Sequence, residues 1–360
     1  MAAADHSRIQ RNYDTVRVTI KQVAEAAKVH YSTVSKALRG SGRIPVATRT
    51  RIQRIAEQIG YHKDPVMLAL AAQRTRCSAL HREPRIVFAT NRWSTDDVYN
   101  IAFMRKFADG VRHQTELMGY ACDLLLLDNE GPGPAEIERR LDAARTDGII
   151  VGAFDPQLRR LEVDWSRYAV VKIDSAFMVP GATLVANDQM QIARTAFHNA
   201  YRLGYRRIGM TVGRAEEQTT QDLYSAGCYL ARDELALPSI PILYCREGYN
   251  YAVTAHRVAE WVRAHRLQIV LSTWGSVREL LRVGGLQVPR EIACMCLCLN
   301  DPDPALAGVI QHHFVVGQKA AEALALLIMR RKRGLTSPSA ATYVAGSWQD
   351  GTSAPPCGTR

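Results

Sequence analysis

Hydrophobic positions recur at helical spacing close to the start of the chain. In "VTIKQVAEAAKVHYSTVSKALRG", residues 18–40, Ile20, Val23, Ala24 and Ala27 stand at i, i+3, i+4 and i+7, and Val34, Ala37 and Leu38 line one face of a second pattern. The spacing predicts two short helices, each with a buried side, joined by a turn of about three or four residues. Such a turn fixes two helices at a steep angle, as in a helix-turn-helix unit. After "GSGRIP", the segment "VATRTRIQRIAEQIGY" predicts a third helix, with Val46, Ile52, Ile55, Ala56 and Ile59 closing a three-helix core and Gly60 as its stop.

Beyond the polar stretch "RTRCSALHRE" the period changes. "RIVFAT", "CDLLLL", "GIIVGA" and "AVVKID" are apolar runs separated by the helical stretches "NIAFMRKFADGVRHQTELMG" and "AEIERRLDAAR". A second series, "RIGMTV", "PILYC", "IVLST" and "IACMCLCL", alternates with "QIARTAFHNAYRLG", "LYSAGCYLARDEL", "VTAHRVAEWVRAH" and "VRELLRVGG". This βαβ rhythm predicts two α/β halves of similar size, each with buried parallel strands. A chain of 360 residues with 47% hydrophobic content fits a large core divided among two or three domains. The chain has no apolar run of about 18 residues and its first residues lack an apolar signal core, so a cytoplasmic protein without a membrane span is expected.

Charge changes the picture more than composition. Residues 1–84 hold 15 Lys or Arg against 6 Asp or Glu, whereas residues 85–360 hold 31 against 29. A compact basic module on a nearly neutral larger one is an electrostatic footprint of nucleic-acid binding. On the second helix Tyr31, Ser32, Ser35, Lys36 and Arg39 fall opposite the apolar face, and these hydrogen-bonding types suit base edges and phosphates. The eight cysteines follow no framework spacing. The run "CMCLC" places Cys294, Cys296 and Cys298 on one face of a strand, where they serve as small hydrophobes rather than as a tetrahedral metal site.

The stretch "VTIKQVAEAAKVHYSTVSKAL", with Thr48, Arg49 and "IGY", resembles the DNA-binding domain of the lac-repressor (LacI/GalR) family without a gap from Val18 to about Ala71. That resemblance implies a recognition helix starting near Tyr31 in the major groove, with Tyr31, Ser32 and Lys36 reading bases and Thr19, His30, Thr33, Ser35 and Arg39 touching the DNA backbone. It further implies a hinge helix at "DPVMLALAAQR", entered at Asp64 and Pro65, whose Leu70, Met67 and Ala71 enter the minor groove; apolar wedges kink DNA in this way. The family usually has glycine in the turn and serine at the start of the recognition helix, where this chain has Lys28 and His30. A positive φ at Lys28 would cost on the order of 1 kcal/mol, and Ser32 is an alternative cap to His30.

"LGYRRIGMTVG", "GLQVPREIACMCL", "GQKAAEALALLI" and "GSWQDGTS" are similar, less specifically, to the family's effector-binding core. The implied architecture is an N-terminal three-helix helix-turn-helix domain plus hinge helix, followed by a C-terminal α/β periplasmic-binding-protein-like core of two doubly wound lobes. The expected divisions are a flexible basic arm over 1–17, the DNA-binding domain over 18–63, hinge and linker over 64–84, the core over 85–351 and a tail over 352–360. Within the core, lobe 1 takes 85–185 and 312–336, and lobe 2 takes 186–311 and 340–351. The family places ligand groups at Asn91, Trp93, Asp174, Tyr224, Tyr249, Trp274, Gln311 and His313, with His313 as a pH-sensitive contact. Tyr224 stands where an arginine commonly grips the ligand, Thr273-Trp274 replaces Asn-Asp, and Cys298 replaces an aspartate. These losses weigh against a simple sugar, while Trp274, Trp93 and Tyr249 suit a ring.

No phosphate-binding glycine loop, zinc-protease helix motif or nucleophile elbow is present in the sequence. The expectation is therefore a regulator without catalytic activity, metal or cofactor, probing double-stranded operator DNA as a homodimer and answering to a small-molecule effector. Two alternatives stand beside it: a DNA-binding regulator or architectural binder whose core takes no effector, and a soluble ligand-binding protein.

Overall fold

The computed structural model describes residues 20–38, 45–59, 84–91, 102–127, 131–155, 160–174, 178, 181–245, 251–335 and 339–358; the side chains of 20, 21, 31, 32, 35 and 36 lie outside that description. The chain divides into two units, residues 1–81 and 82–360, a boundary inside the segment 64–84 expected to hold hinge and linker.

The first unit carries three helices, α1 (Ile20–Ala26), α2 (Tyr31–Leu38) and α3 (Val46–Gln58). Its core is small and alanine-rich: Val23, Ala24, Ala27, Val34, Ala37, Ile52 and Ala56 are buried, with Val29, Leu38, Ile55 and Ile59 packed around them. Small side chains bring the helices close, so few contacts carry the whole unit. Val46, expected in this core, is 66% exposed, because it opens the first turn of α3 ahead of the face that packs. The turn after α1 closes as a Schellman motif. Val29 N–H donates to Ala24 O (3.0 Å), Lys28 N–H donates to Glu25 O (3.1 Å), and Lys28 adopts φ 48°. A lysine thus occupies the left-handed position that glycine fills without strain. The recognition-type helix α2 begins at Tyr31, with the carbonyl of His30 accepting from Thr33 and Val34, so Ser32 lies inside the helix rather than capping it.

The second unit contains two six-stranded sheets. The first comprises β1 (Arg85–Thr90), β2 (Ala121–Leu126), β3 (Thr146–Val151), β4 (Ala169–Ile173), β5 (Thr183–Asn187) and β11 (Ala341–Val344), all parallel in the order β11-β5-β4-β3-β1-β2. The second comprises β6 (Ile208–Gly213), β7 (Leu243–Cys245), β8 (Ile269–Ser272), β9 (Ala293–Leu299), β10 (Gly308–Ile310) and β12 (Ser347–Gln349), in the order β12-β10-β9-β8-β6-β7, with only β12 antiparallel. Helices cover both faces of each sheet, which is why the strands are apolar on both sides. On the first sheet α4 (Ala102–Met118) and α11 (His313–Met329) share one face and α5 (Pro134–Ala143) lies on the other. On the second, α6 (Gln189–Arg202) and α8 (Leu223–Glu234) oppose α9 (Tyr251–Ala264) and α10 (Val277–Val283); α7 (Arg214–Thr220) follows β6 directly. In β9, Ala293, Met295 and Leu297 pack towards one face while Cys294, Cys296 and Cys298 pack towards the other, the sulfurs sharing an apolar layer. The thiols of Cys294 and Cys296 are pushed up to about 12 by burial. Among the described residues no group of three or more His, Cys, Asp or Glu could hold a metal ion, and no helix is long and apolar enough to cross a membrane.

The chain passes between the sheets three times: from β5 to α6, from β10 to α11, and from β11 to β12. The last passage corrects the expected lobe division. Residues 341–344 pair with β5 in the first sheet, so Tyr343 belongs to lobe 1 and only Ser347 onward returns to lobe 2; likewise β5 keeps residues 186 and 187 in lobe 1. The short strands β5, β10, β11 and β12 and the short helix α7 had no clear period in the sequence. The passages are tied to one another. Asn187 Nδ2 donates to Gln311 O, Asp188 N–H donates to Val344 O (3.1 Å), and His312 Nε2 bonds Ser347 Oγ (2.9 Å). Where α4 meets α11, a Cβ on Gly317 would stand 2.3 Å from Phe107 O, and one on Gly110 would stand 2.1 Å from Phe314 O, so both glycines are required by backbone proximity.

Three stability outcomes follow from this packing. Ile52→Ala should cost about 2–5 kcal/mol and unfold the first unit, seen as lost amide protection over residues 20–59, while the tryptophan-reported melt is unchanged because all five tryptophans lie beyond residue 81. Lys28→Gly should raise protection of the same unit by about 0.5–1 kcal/mol, the left-handed strain relieved less the added entropy of the unfolded glycine. Gly317→Ala should lower the tryptophan-reported stability by about 1–3 kcal/mol through overpacking; an unchanged melt would show that α4 and α11 can separate freely.

Candidate functional site

In the first unit, α2 carries positions 31, 32, 35 and 36, with Val34 and Ala37 turned into the core. The side chains of Tyr31, Ser32 and Lys36, expected to read bases, and that of Ser35, lie outside the described residues, as do Thr19, Arg39 and the expected hinge residues Met67, Leu70 and Ala71. His30 is exposed at the mouth of α2 and Thr33 is half-buried.

In the second unit, a cleft of about 470 Å³ lies between the two sheets. It is built where strands end, the place at which open α/β sheets gather ligand groups. Lobe 1 contributes Ala153, Phe154 and Asp155 after β3, Asp174 after β4, and Phe103 and Phe107 from the start of α4. Lobe 2 contributes Glu216 and Thr219 on α7, Tyr224 on α8, Thr273, Trp274 and Ser276 after β8, and Cys298 and Asn300 at the end of β9. Gln189, Gln311 and His313, which flank the passages between lobes, close the back.

Of the expected ligand residues, Asp174, Tyr224, Trp274, Gln311 and His313 come together here, while Trp93 and Tyr249 lie outside the described residues. Asn91 does not line the cleft. It is fully buried and clamps the β3 exit, its Nδ2 donating to Asp155 O (2.7 Å) and its Oδ1 accepting from Asp155 N–H (2.8 Å). Tyr224 and Gln311 are linked: Gln311 Nε2 donates to Tyr224 Oη (2.6 Å) and to Leu297 O (2.6 Å). The Tyr224 phenol is therefore anchored to the passage from lobe 2 back to lobe 1.

His313 differs from the expectation of a pH-sensitive contact. It is 3% exposed, packs edge-on against Phe107 with ring centroids 5.0 Å apart, and places Nε2 3.7 Å from Cys298 Sγ. Burial, with Lys106 and His312 adding repulsion, pushes it down to about 3, so it stays neutral at physiological pH. The titrating groups of the cleft are carboxylates. Burial raises Asp174 to about 7, against a hydrogen bond from Gln189 Nε2 (3.1 Å), and Asp174 sits at φ 49°. Burial also raises Glu216, although Gly213 N–H (3.2 Å) and Thr273 Oγ1 donate to it. Cys298 remains a thiol, burial pushing it well above its ordinary range.

Sequence reading missed Glu216, Gln189, Phe103 and Phe107. Glu216 sits on a helix too short to show a period, and Phe103, Phe107 and Gln189 lie on helix faces whose apolar or polar character gives no sign of which neighbour they meet. The lobes also touch across the cleft: Lys106 Nζ on α4 binds Asn300 O and the Asp301 carboxylate, and Thr219 Oγ1 donates to Phe154 O (3.5 Å).

Asp174 fixes a pH dependence. Its carboxyl holds a proton to higher pH in the fold than in the unfolded chain, so the stabilisation is complete below the ordinary carboxylate range and is lost as pH rises through about 7. Asp174→Asn should flatten the fall of core stability between about pH 4 and about pH 7, removing a slope of at most about 1.4 kcal/mol per pH unit. Melts across that range check this, and an unaltered profile would show that Asp174 titrates normally.

A model of "Bacterial regulatory proteins, lacI family" matches residues 19–64. The HTH-type transcriptional regulator PtxS of Pseudomonas plecoglossicida is 28% identical over 193 residues, 53% of this chain and 53% of that protein, so the chain spans about half the length of this relative. A solved complex of the transcriptional regulator CelR with cellobiose superposes over 94% of this chain and 100% of its own with a TM-score of 0.58 at 18% identity. A lac repressor dimer bound to operator and the anti-inducer ONPF superposes over 94% and 99% with a TM-score of 0.56 at 16% identity. The structural likeness establishes the fold, a helix-turn-helix unit followed by two periplasmic-binding-protein-like lobes, and the sequence match falls on the helices that build the first unit. The first unit thus matches the lacI family of bacterial regulatory proteins over residues 19–64, and the chain shares the fold of these solved transcriptional regulators.

Proposed function

We propose that this protein is a sequence-specific transcriptional repressor that binds a near-palindromic operator as a homodimer and is controlled by a small molecule in the interlobe cleft. The observation that carries this reading is the pairing, in one chain, of a lacI-family helix-turn-helix unit with a two-lobed core whose cleft is lined from both lobes. The lac repressor neighbour is a dimer on operator DNA with ONPF, and the CelR neighbour holds cellobiose. These relatives support regulation rather than catalysis.

In this reading Tyr31, Ser32 and Lys36 contact base edges. Thr19, His30, Thr33, Ser35 and Arg39 contact the backbone, and Leu70, with Met67 and Ala71, opens the minor groove. One such unit reads only a few base pairs, so two-fold pairing supplies the remaining specificity. An effector shifts operator affinity only by binding one lobe arrangement more tightly than another. The cleft is suited to that role because Tyr224, Gln311 and the Asn187 bond join its lining to the chain passages about which the lobes turn.

Selection of operators from random DNA by the full chain, with affinity measured against salt, tests the reading. A palindrome with a deformable central step is expected. Steep salt dependence without an enriched sequence would instead indicate an architectural binder, and loss of all DNA affinity would leave a ligand-binding protein. Lys36→Ala should cost about 1–3 kcal/mol at its base position, and Leu70→Ala should weaken the selected site more than random DNA. Equal losses on both would remove the wedge role.

A further inference from the structure

We propose that the interlobe cleft takes a ring-bearing primary ammonium, held between Asp174 of the first lobe and Glu216 of the second. The inference rests on the cleft being the effector site and adds the chemical class of the ligand. The two carboxylates arise on opposite lobes, yet both bear electrostatically on the same two side chains, Tyr224 and Cys298, so they converge on one part of the cleft. Beside them stand acceptors that lack donors. Gln189 is 2% exposed; its Nε2 serves Asp174 while its Oε1 has no hydrogen-bond partner, and the buried Asn300 Oδ1 on the opposite lobe has none either.

Such a site asks for a ligand rich in donors. An ammonium offers three N–H donors and no acceptor, and its bonds to carboxylates are charge-assisted. Among the described lining residues there is no lysine or arginine, and His313 and Cys298 are neutral; the neighbouring Lys106, which donates to Asn300 O, is paired with the Asp301 carboxylate. An anionic ligand would meet Asp155, Asp174 and Glu216 together and would be disfavoured by like charge. The ring follows from the walls. Phe103, Phe154 and Trp274 line the same cleft, and aromatic faces accept both an apolar ring and an adjacent cation. Burial without a counterion raises the protonation of both carboxyls, a cost that a bound cation relieves. A ligand bonded to both lobes also favours their closed arrangement, since its affinity is greatest where both carboxylates reach it.

The test uses two matched sets of probes on the full chain: tyramine, para-ethylphenol and para-hydroxyphenylacetate, and glucosamine, glucose and glucuronate. Binding is followed by the fluorescence of Trp274 and by calorimetry. In at least one set the ammonium should bind about tenfold or more tightly than its uncharged partner, as a charge-assisted bond implies, with the acid weakest. Asp174→Asn and Glu216→Gln, separately and together, should erase that preference while the tryptophan melt stays cooperative. A neutral or acidic member binding best in both sets, failure of both ammonium probes at millimolar concentration, or a preference that survives in the folded double variant overturns the proposal. Operator binding of the wild-type chain, measured on the same preparation, separates the two readings. Retained operator binding without ammonium preference removes only the ligand class, and absent operator binding removes the regulator.

Discussion

The core depends on how three chain passages between two sheets are tied to one another. Asn187 at the end of β5 donates to the carbonyl of Gln311, Asp188 N–H reaches Val344 O, and His312 bonds Ser347. Every passage is thereby bonded to another, and the lobes are joined by one laced strip rather than by three independent linkers. The same strip forms the back of the cleft. Gln311 donates from one side-chain nitrogen to Tyr224 and to Leu297 O, and Gln189 follows the first passage by two residues. A change in lobe arrangement would therefore move atoms that line the cleft.

The first unit solves a different problem with much less material. Its core contains four alanines among seven buried residues, so its stability rests on close helix approach and on backbone geometry more than on buried area. Lys28 in the left-handed region shows the balance: the Schellman bonds and the burial of Val29 hold the turn closed against the strain.

Burial keeps several polar groups of the cleft neutral. Tyr224 offers a phenol, Cys298 a thiol that stays protonated, and His313, expected to titrate, is kept neutral by burial, with Lys106 and His312 adding repulsion. The acidic groups of the cleft are instead Asp174 and Glu216, both shifted towards the protonated form by burial, the latter delivered by the short helix that follows β6.

The sequence by itself determined what depends on short-range periodicity. The 3.6-residue pattern of Val23, Ala27, Val34 and Ala37 and the apolar runs of β1, β3, β4, β6, β8 and β9 specify their own elements, because each must bury a face whatever it packs against. The motif of the first unit was legible for the same reason, being local and without gaps. Tertiary structure alone decided the rest. Strands of three to five residues such as β10, β12 and β5 hold no period and form only because a neighbouring edge supplies bonds. The lobe to which residues 341–344 belong was settled by pairing with β5, and the exposure of Val46 by where α3 begins to pack. The cleft is the clearest case: Asp174 and Glu216 are 42 positions apart in sequence and share no pattern, and their altered protonation arises from burial that only the assembled lobes create.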